Sequence, residues 1–177
     1  MTVNIGKMFA NRALLSPNME AFVGNGYRYT FLETNRRINR MAAYLVKIGI
    51  SRGDRVATLC KNNEHVTTTM FAALKLGAVF VPVNFRLKAP EISYILSNCA
   101  AGLLVYDEEF SATVDSIRSE IPARHYLKAV GAGSEFESAL ASMQDTEPVI
   151  AGAGMDPAVI LYTSGTTGNP KGAILSH

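Results

Sequence analysis

Tryptophan is missing from the 177 residues, cysteine occurs twice, and no apolar run is long. These scarcities argue against whole classes of protein. Cys60 and Cys99 form neither a CxxC pair nor a zinc-ligand spacing, which speaks against a disulfide scaffold, a metal ribbon or a redox pair. Both read as small buried apolar residues. The longest uninterrupted apolar stretches, such as Ala78 to Val83, fall far short of the ~20 residues that a membrane-spanning helix needs. Neither sign of charge dominates: 17 Lys+Arg stand against 15 Asp+Glu, the densest run is Arg36, Arg37 and Arg40, and there is no basic tail. Nucleic acid and anionic membrane are therefore poor partners on charge alone. The segment Met1 to Lys7 lacks a basic region leading into a long apolar one, so no secretory signal is read and a reducing cytoplasm is the expected compartment. No internal repeat or low-complexity tract is present.

What is there is 48% apolar and 18% charged residues, the composition of a soluble globular protein. A chain of this length buries roughly 70% of the surface that its unfolded form exposes, enough for one core. Apolar periodicity alternates between helix and short strand, predicting an α/β fold with helices layered on a largely parallel sheet. An opening helix is predicted from about Ile5 to Leu15, stopped by Ser16-Pro17. A hairpin follows, with Glu20 to Val23 and Tyr27 to Tyr29 flanking the turn dipeptide Asn25-Gly26. Thr30-Phe-Leu-Glu33 reads as a capping box opening a long helix. Its apolar face carries Phe31, Ile38, Met41, Ala42, Leu45 and Val46, while Arg36, Arg37 and Arg40 read as a solvated face and Gly49 as the stop. Further units are strand Arg55 to Cys60, helix Glu64 to Leu76, strand Ala78 to Val83, helix Pro90 to Ser97, strand Leu103 to Tyr106 and helix Phe110 to Ser119. After these come strand Tyr126 to Val130, a helix Glu135 to Met143 behind a second capping box Ser134-x-x-Glu137, a loop at Gly152-Ala-Gly154, and strand Ala158 to Tyr162.

The densest chemistry lies directly after that last strand, in Tyr162-Thr-Ser-Gly-Thr-Thr-Gly-Asn-Pro-Lys-Gly172. Gly165, Gly168 and Gly172 free the backbone so that several amides can face one point, as in an anion-binding nest. Thr163, Ser164, Thr166 and Thr167 add hydroxyls, and Lys171 adds a compact cation. Such a set can surround a polyphosphate with charge-assisted hydrogen bonds. It is not a Walker loop: counting from Gly165, Pro170 stands where the second glycine belongs and Gly172 where the magnesium-binding hydroxyl belongs. A Rossmann G-x-G-x-x-G is also absent. His65 and His125 have no partner carboxylate at an informative spacing, and His177, six residues past Lys171, reads as an ordinary loop histidine rather than one near an acyl site; all three read as structural.

Thr163 to Gly172 matches, at every position, the phosphate-loop motif of the adenylate-forming enzymes, the AMP-dependent synthetase and ligase superfamily that includes acyl-CoA synthetases. The resemblance continues upstream through Tyr29-Thr-Phe-Leu-Glu33 with Asn39, Arg40 and Ala42, where Thr34 departs from the usual leucine. It extends through Gly53-Asp-Arg-Val-Ala57 with Asn62 and Glu64, and through Leu74-Lys-Leu-Gly-Ala-Val-Phe-Val-Pro82. In that last motif Lys75, Gly77 and Pro82 read as packing and turn residues. Asn84-Phe-Arg86-Leu87, with Glu91 and Tyr94, resembles the fatty-acyl and aryl CoA synthetase branch.

The resemblance implies a two-step reaction: a carboxylic acid is joined to AMP from ATP with loss of pyrophosphate, and CoA then accepts the acyl group. It implies ATP with Mg2+ as the nucleotide, coenzyme A as co-substrate and a small carboxylic acid, fatty acid first, as substrate. It assigns Thr163, Ser164, Gly165, Thr166, Thr167, Gly168 and Lys171 to the nucleotide phosphates, with no catalytic residue and no metal ligand in this stretch. It also implies that residues 1–177 are the N-terminal part of a large ATP- and acyl-binding domain, with the phosphate loop at 162–172 and the adenine pocket, acyl tunnel and small C-terminal domain lying downstream. Gly172-Ala-Ile-Leu175, an apolar run, is expected to enter another strand. Such a chain is expected not to turn over alone and to expose apolar surface that favours homodimers or swapped association. Two alternatives stay open: a non-catalytic module binding a phosphate-bearing ligand or a partner, and a peptide-synthetase-like adenylation domain.

Overall fold

The computed structural model describes residues 3–24, 26–129, 134–152, 154–163 and 168–177. Helix α1 (Ile5–Leu15) starts where the Asn4 side chain accepts the Lys7 amide, and the same side chain donates to the carbonyls of Leu74, Ala151 and Gly152. One buried amide thus caps a helix and ties the chain's start to segments far along the sequence. Strands β1 (Glu20–Gly24) and β2 (Tyr27–Thr30) form a separate antiparallel hairpin; Gly26 has φ +87°, and the predicted turn residue Asn25 lies outside the described residues.

Helix α2 (Phe31–Lys47) opens with the expected capping box, in which the Glu33 amide donates to Thr30 Oγ1 at 3.2 Å and the Thr30 amide to Glu33 Oε2 at 2.8 Å. It ends before Gly49, whose φ of +85° suits glycine. Ile38, Met41 and Leu45 are fully buried, each worth roughly 1.5–3 kcal/mol of transfer from water. The Phe9 ring of α1 lies 5.6 Å from Phe31 and 4.7 Å from Phe71, joining the first helices around one aromatic cluster.

The remaining elements alternate as predicted: β3 (Arg55–Leu59), α3 (Glu64–Lys75), β4 (Val79–Pro82), α4 (Ala89–Asn98), β5 (Ala101–Asp107), α5 (Ser111–Ile117), β6 (His125–Ala129), α6 (Glu135–Ala141), β7 (Pro157–Thr163) and β8 (Lys171–Ser176). Glu108–Phe110 is a 3-10 turn leading into α5, so Phe110, expected to open the helix, ends the turn before it. Six strands make one sheet in the order β6-β5-β3-β4-β7-β8, parallel up to β7, with β8 antiparallel to it. Alternation along β5 shows how the layers arise: Leu103 and Val105 pack with α2, α3 and α6, whereas Leu104 and Tyr106 pack with α4 and α5. The sheet therefore carries helices on both faces. Cys60 and Cys99 are free and buried, as read from their spacing.

Topology decides where a crevice can open. The chain leaves β3 for α3 on one face and leaves the adjacent β4 for α4 on the other, so the carboxyl ends of these strands part. A cleft of about 270 Å³ lies there, lined by residues that include Thr58, Cys60, Asn62, Val83, Asn84 and Phe85.

Candidate functional site

β7 runs parallel to β4, so the loop after it emerges at the same carboxyl edge as the cleft. Ser164, Gly165, Thr166 and Thr167 lie outside the described residues; the two ends of the loop are described. Thr163, at the end of β7, stands opposite Lys171, at the start of β8, in antiparallel register. Directly opposed residues share a face of a sheet. A hydroxyl and an ammonium thus stand side by side at the base of the loop, both exposed. Gly168 has φ +124°, and nothing lies within 4 Å of the place a Cβ would occupy.

Gly172 departs from its expected role as a turn glycine. It lies inside β8, opposite Tyr162, where an added Cβ would meet Ile160 Cγ2 at 2.8 Å and Tyr162 Cζ at 3.1 Å. Space, not a turn, requires glycine here. The Tyr162 hydroxyl donates to Asn98 Oδ1 at 2.5 Å, and burial pushes its pKa up to about 12. Ile160 and Tyr162 pack toward the α4 side of the sheet, so the alternating Thr163 and Lys171 face the other way.

A network behind the sheet holds α2, α3 and α6 together. Sequence reading took Arg37 for a solvated residue; instead its guanidinium lies over the Tyr29 ring and binds two carboxylates, Glu64 Oε1 at 2.8 Å and Glu137 through both oxygens at 2.9 and 2.5 Å. The burial of Arg37 opposes its charge, but the bond to Glu137 and the two carboxylates win and its pKa rises. Burial also pushes the Glu137 carboxyl up, yet the Arg37 and His65 contacts outweigh it and hold the group down to about 2. This also corrects the second capping box: Ser134 Oγ accepts the Glu137 amide at 3.0 Å, but the Glu137 side chain turns to Arg37. His65, read as lacking a carboxylate partner, has Nε2 3.1 Å from Glu64 and 3.5 Å from Glu137. No local spacing shows these partners, since Arg37 and Glu137 are 100 residues apart.

Lys75 is fully buried, and its ammonium donates to Asn35 at 2.8 Å, Asn39 at 2.7 Å and Glu147 at 2.6 Å. Burial lowers its pKa against the pull of Glu147. It is a packing residue, as expected of that motif. His177 sits at the other end of β8 from Lys171, and its Nδ1 accepts the Ile5 amide at 3.2 Å. His125 opens β6, its backbone in register with Leu103. The His177 ring thus ties the end of β8 to the start of α1.

The fold is thus that of a doubly wound α/β protein with a largely parallel sheet, and the ends of a Ser/Thr/Gly/Lys segment stand at its carboxyl edge. The family model for AMP-binding enzymes matches residues 9–177, and the chain belongs to that family. It is 40% identical over 177 residues to the long-chain-fatty-acid–CoA ligase FadD13 of Mycobacterium tuberculosis, covering 98% of this chain and 35% of that protein. It is also 40% identical over 162 residues to the fatty acid–[acyl-carrier-protein] ligase ScoC of Streptomyces coeruleorubidus, covering 91% of this chain and 30% of that one. Among solved structures, the inhibitor-bound N-terminal domain of FACL13 from Mycobacterium tuberculosis superposes with a TM-score of 0.92 at 38% identity, covering 100% of this chain and 45% of that chain. The chain therefore spans about a third of the length of the curated relatives it matches. Among the described residues, no helix is long and apolar enough to cross a membrane.

Proposed function

We propose that this chain is the phosphate-binding N-terminal part of an ATP-dependent, AMP-forming ligase that activates a carboxylic acid, with fatty acid as the substrate class and the CoA thiol as acceptor. The observation that carries the reading is the β7–β8 hairpin at the carboxyl edge of the sheet, with Thr163 opposite Lys171 and the glycine- and hydroxyl-rich loop between them. Family membership and the likeness to fatty-acyl ligases support the reaction class.

The donor set fits a nucleotide polyphosphate. Lys171 supplies the charge, Thr163 a hydroxyl beside it, Gly168 an open backbone position, and Ser164, Gly165, Thr166 and Thr167 the further donors of the loop. Residues 163–172 include no carboxylate, so their part in a magnesium–nucleotide complex is with the phosphate oxygens. ATP, when bound, supplies AMP as a leaving group far better than the oxide of a free carboxylate. The chain's own groups orient the β- and γ-phosphates and stabilise the charge that grows as pyrophosphate departs. The adenine, the acyl group and the acceptor are held by residues beyond this chain, which consequently does not turn over alone.

Carboxylate-dependent exchange of labelled pyrophosphate into ATP, run on the 177-residue chain and on the chain extended by its natural downstream sequence, tests this. Exchange in the extended chain only is the expected result. Exchange in neither, across short, medium, long and aromatic acids, overturns the ligase reading in favour of a non-catalytic phosphate-binding module. The likeness to ScoC favours a second reading of the acceptor, a carrier-protein thiol. Acyl transfer to CoA or to carrier protein separates the two, and also tests the peptide-synthetase-like alternative.

A further inference from the structure

We infer that a pocket between α1, the start of α2 and residues 147–150 binds a medium-chain aliphatic carboxylate. The pocket measures about 330 Å³, a usual size for a small-molecule site, and shares no lining residue with the cleft at the carboxyl edge of the sheet or with residues 162–172. Its walls hold one another in place. Asn35 Nδ2 donates to Glu147 Oε2 at 3.1 Å, Asn39 Nδ2 to Glu147 Oε2 and to the Asp145 carbonyl at 3.0 Å each, and the Ala151 amide to the Lys75 carbonyl at 2.9 Å. The hollow is therefore built before any ligand arrives.

Helix spacing makes the first wall. Lys7, Ala10, Asn11 and Leu14 recur at i, i+3, i+4 and i+7 and so share one face of α1. Ala10 and Ala13 leave the hollow open, while Leu14, Leu32 and Ile150 give it aliphatic sides. Among the described residues no aromatic ring lines it, so the surface suits a flexible alkyl chain rather than a stacked ring. At the ~30 Å³ that a small group takes up in a liquid, the space holds about ten non-hydrogen atoms, the size of octanoate.

The polar part of the lining selects the charge of the ligand. Glu147 is already committed: the buried Lys75 ammonium donates to it at 2.6 Å, besides the two asparagine amides. Lys7 is exposed, and among the described residues its ammonium has no hydrogen-bond or ion-pair partner; the same holds for the side-chain amide of Asn11, one turn further along. One free cation beside one free amide matches a single planar carboxylate, whereas a phosphate group calls for more cations. The carboxylate pairs with Lys7 and Asn11, and the alkyl chain runs over Ala10 toward Leu32 and Ile150.

Hydrogen exchange of the 177-residue chain titrated with octanoate, repeated on the chain extended by its natural downstream sequence, tests this. The expected result in both is slowed exchange in α1 and residues 147–151 with a Kd of about 1 mM, as about ten ligand atoms of modest efficiency give. Lys7→Glu should raise that Kd at least about tenfold and turn the preference toward octylammonium, which the parent should bind at least about tenfold more weakly than octanoate. Ala10→Leu should abolish binding by filling the hollow; it keeps a strong helix former at a half-buried position, and unchanged far-UV circular dichroism checks that the chain still folds. No protection at ~10 mM octanoate, protection absent from the extended chain, equal binding of octylammonium, or binding untouched by either variant would each overturn the proposal. The readout is local to α1 and residues 147–151, so octanoate bound as a substrate elsewhere in the extended chain does not imitate it, and a failed pyrophosphate exchange leaves it standing.

Discussion

Replacing Arg37 with methionine should destabilise the fold by about 3–5 kcal/mol at neutral pH, as expected when one partner of a buried ion pair is removed. The geometry supports that magnitude by two routes. Glu137 is held down to about 2 from 4.5 against its own burial, and because the group is only half-buried, solvent screening leaves about 1–3 kcal/mol of that displacement as native-state stabilisation above the unfolded pKa. Without the guanidinium, the Glu64 and Glu137 oxygens, no more than 4.8 Å apart, face each other as like charges, a repulsion of about 3 kcal/mol at an effective dielectric of about 20. The two routes describe overlapping energy and are not summed. The sign with pH follows. In the parent, the Glu137 contribution is complete above pH 4.5 and disappears as pH falls through about 2. In the variant the carboxyl is relieved by protonation, so the gap between the two proteins should be widest at neutral pH and should narrow in acid. Urea denaturation followed by circular dichroism at neutral pH and at mildly and strongly acidic pH measures it. A loss below about 1 kcal/mol, the size of an exposed pair, would refute the buried clamp. A loss independent of pH would refute the role of Glu137 as its partner. The double variant Arg37→Met, Glu137→Gln should recover part of the loss, because the unpaired charge goes with it.

Lys171→Ala should leave stability within about 0.5 kcal/mol, since the side chain is exposed, while pyrophosphate exchange in the extended chain falls by orders of magnitude. Equal loss of both in thermal melts and exchange assays would contradict a binding role. Gly172→Ala should cost about 1–3 kcal/mol, as the Cβ collides with Ile160 and Tyr162, and faster amide exchange in β7 and β8 should accompany it. Lys75→Ala should cost about 2–5 kcal/mol by emptying a fully buried side-chain site and leaving the buried Asn39 oxygen without its donor, while the exposed Glu147 carboxylate turns to water; chemical denaturation is the readout. Gly77→Ala should also destabilise, because φ is +68° and Ala151 O would lie 2.9 Å from the new Cβ; a lowered melting temperature is the check.

Much of the fold was legible because its determinants are local. The Thr30–Glu33 capping box, the stop at Gly49 and the alternation that buries β5 on two faces each follow from residues within a few positions of one another. The glycines, hydroxyls and lysine of residues 163–172 likewise lie in one short stretch of chain, of which Ser164 to Thr167 lie outside the described residues. Arg37 was misread because a helical face announces only its periodicity, not what a helix 100 residues later brings against it. His65 was misjudged for the same reason: its second carboxylate belongs to α6.

By itself, then, the sequence determined the α/β class, most of the elements and the character of the loop, since hydrophobic period, caps and turn chemistry act over a few residues. Tertiary structure alone decided the strand order that opens a cleft between β3 and β4, the pairing of Thr163 with Lys171 and the steric need for Gly172. Those features depend on which distant segments become neighbours, and packing settles that only when both faces of the sheet are covered at once.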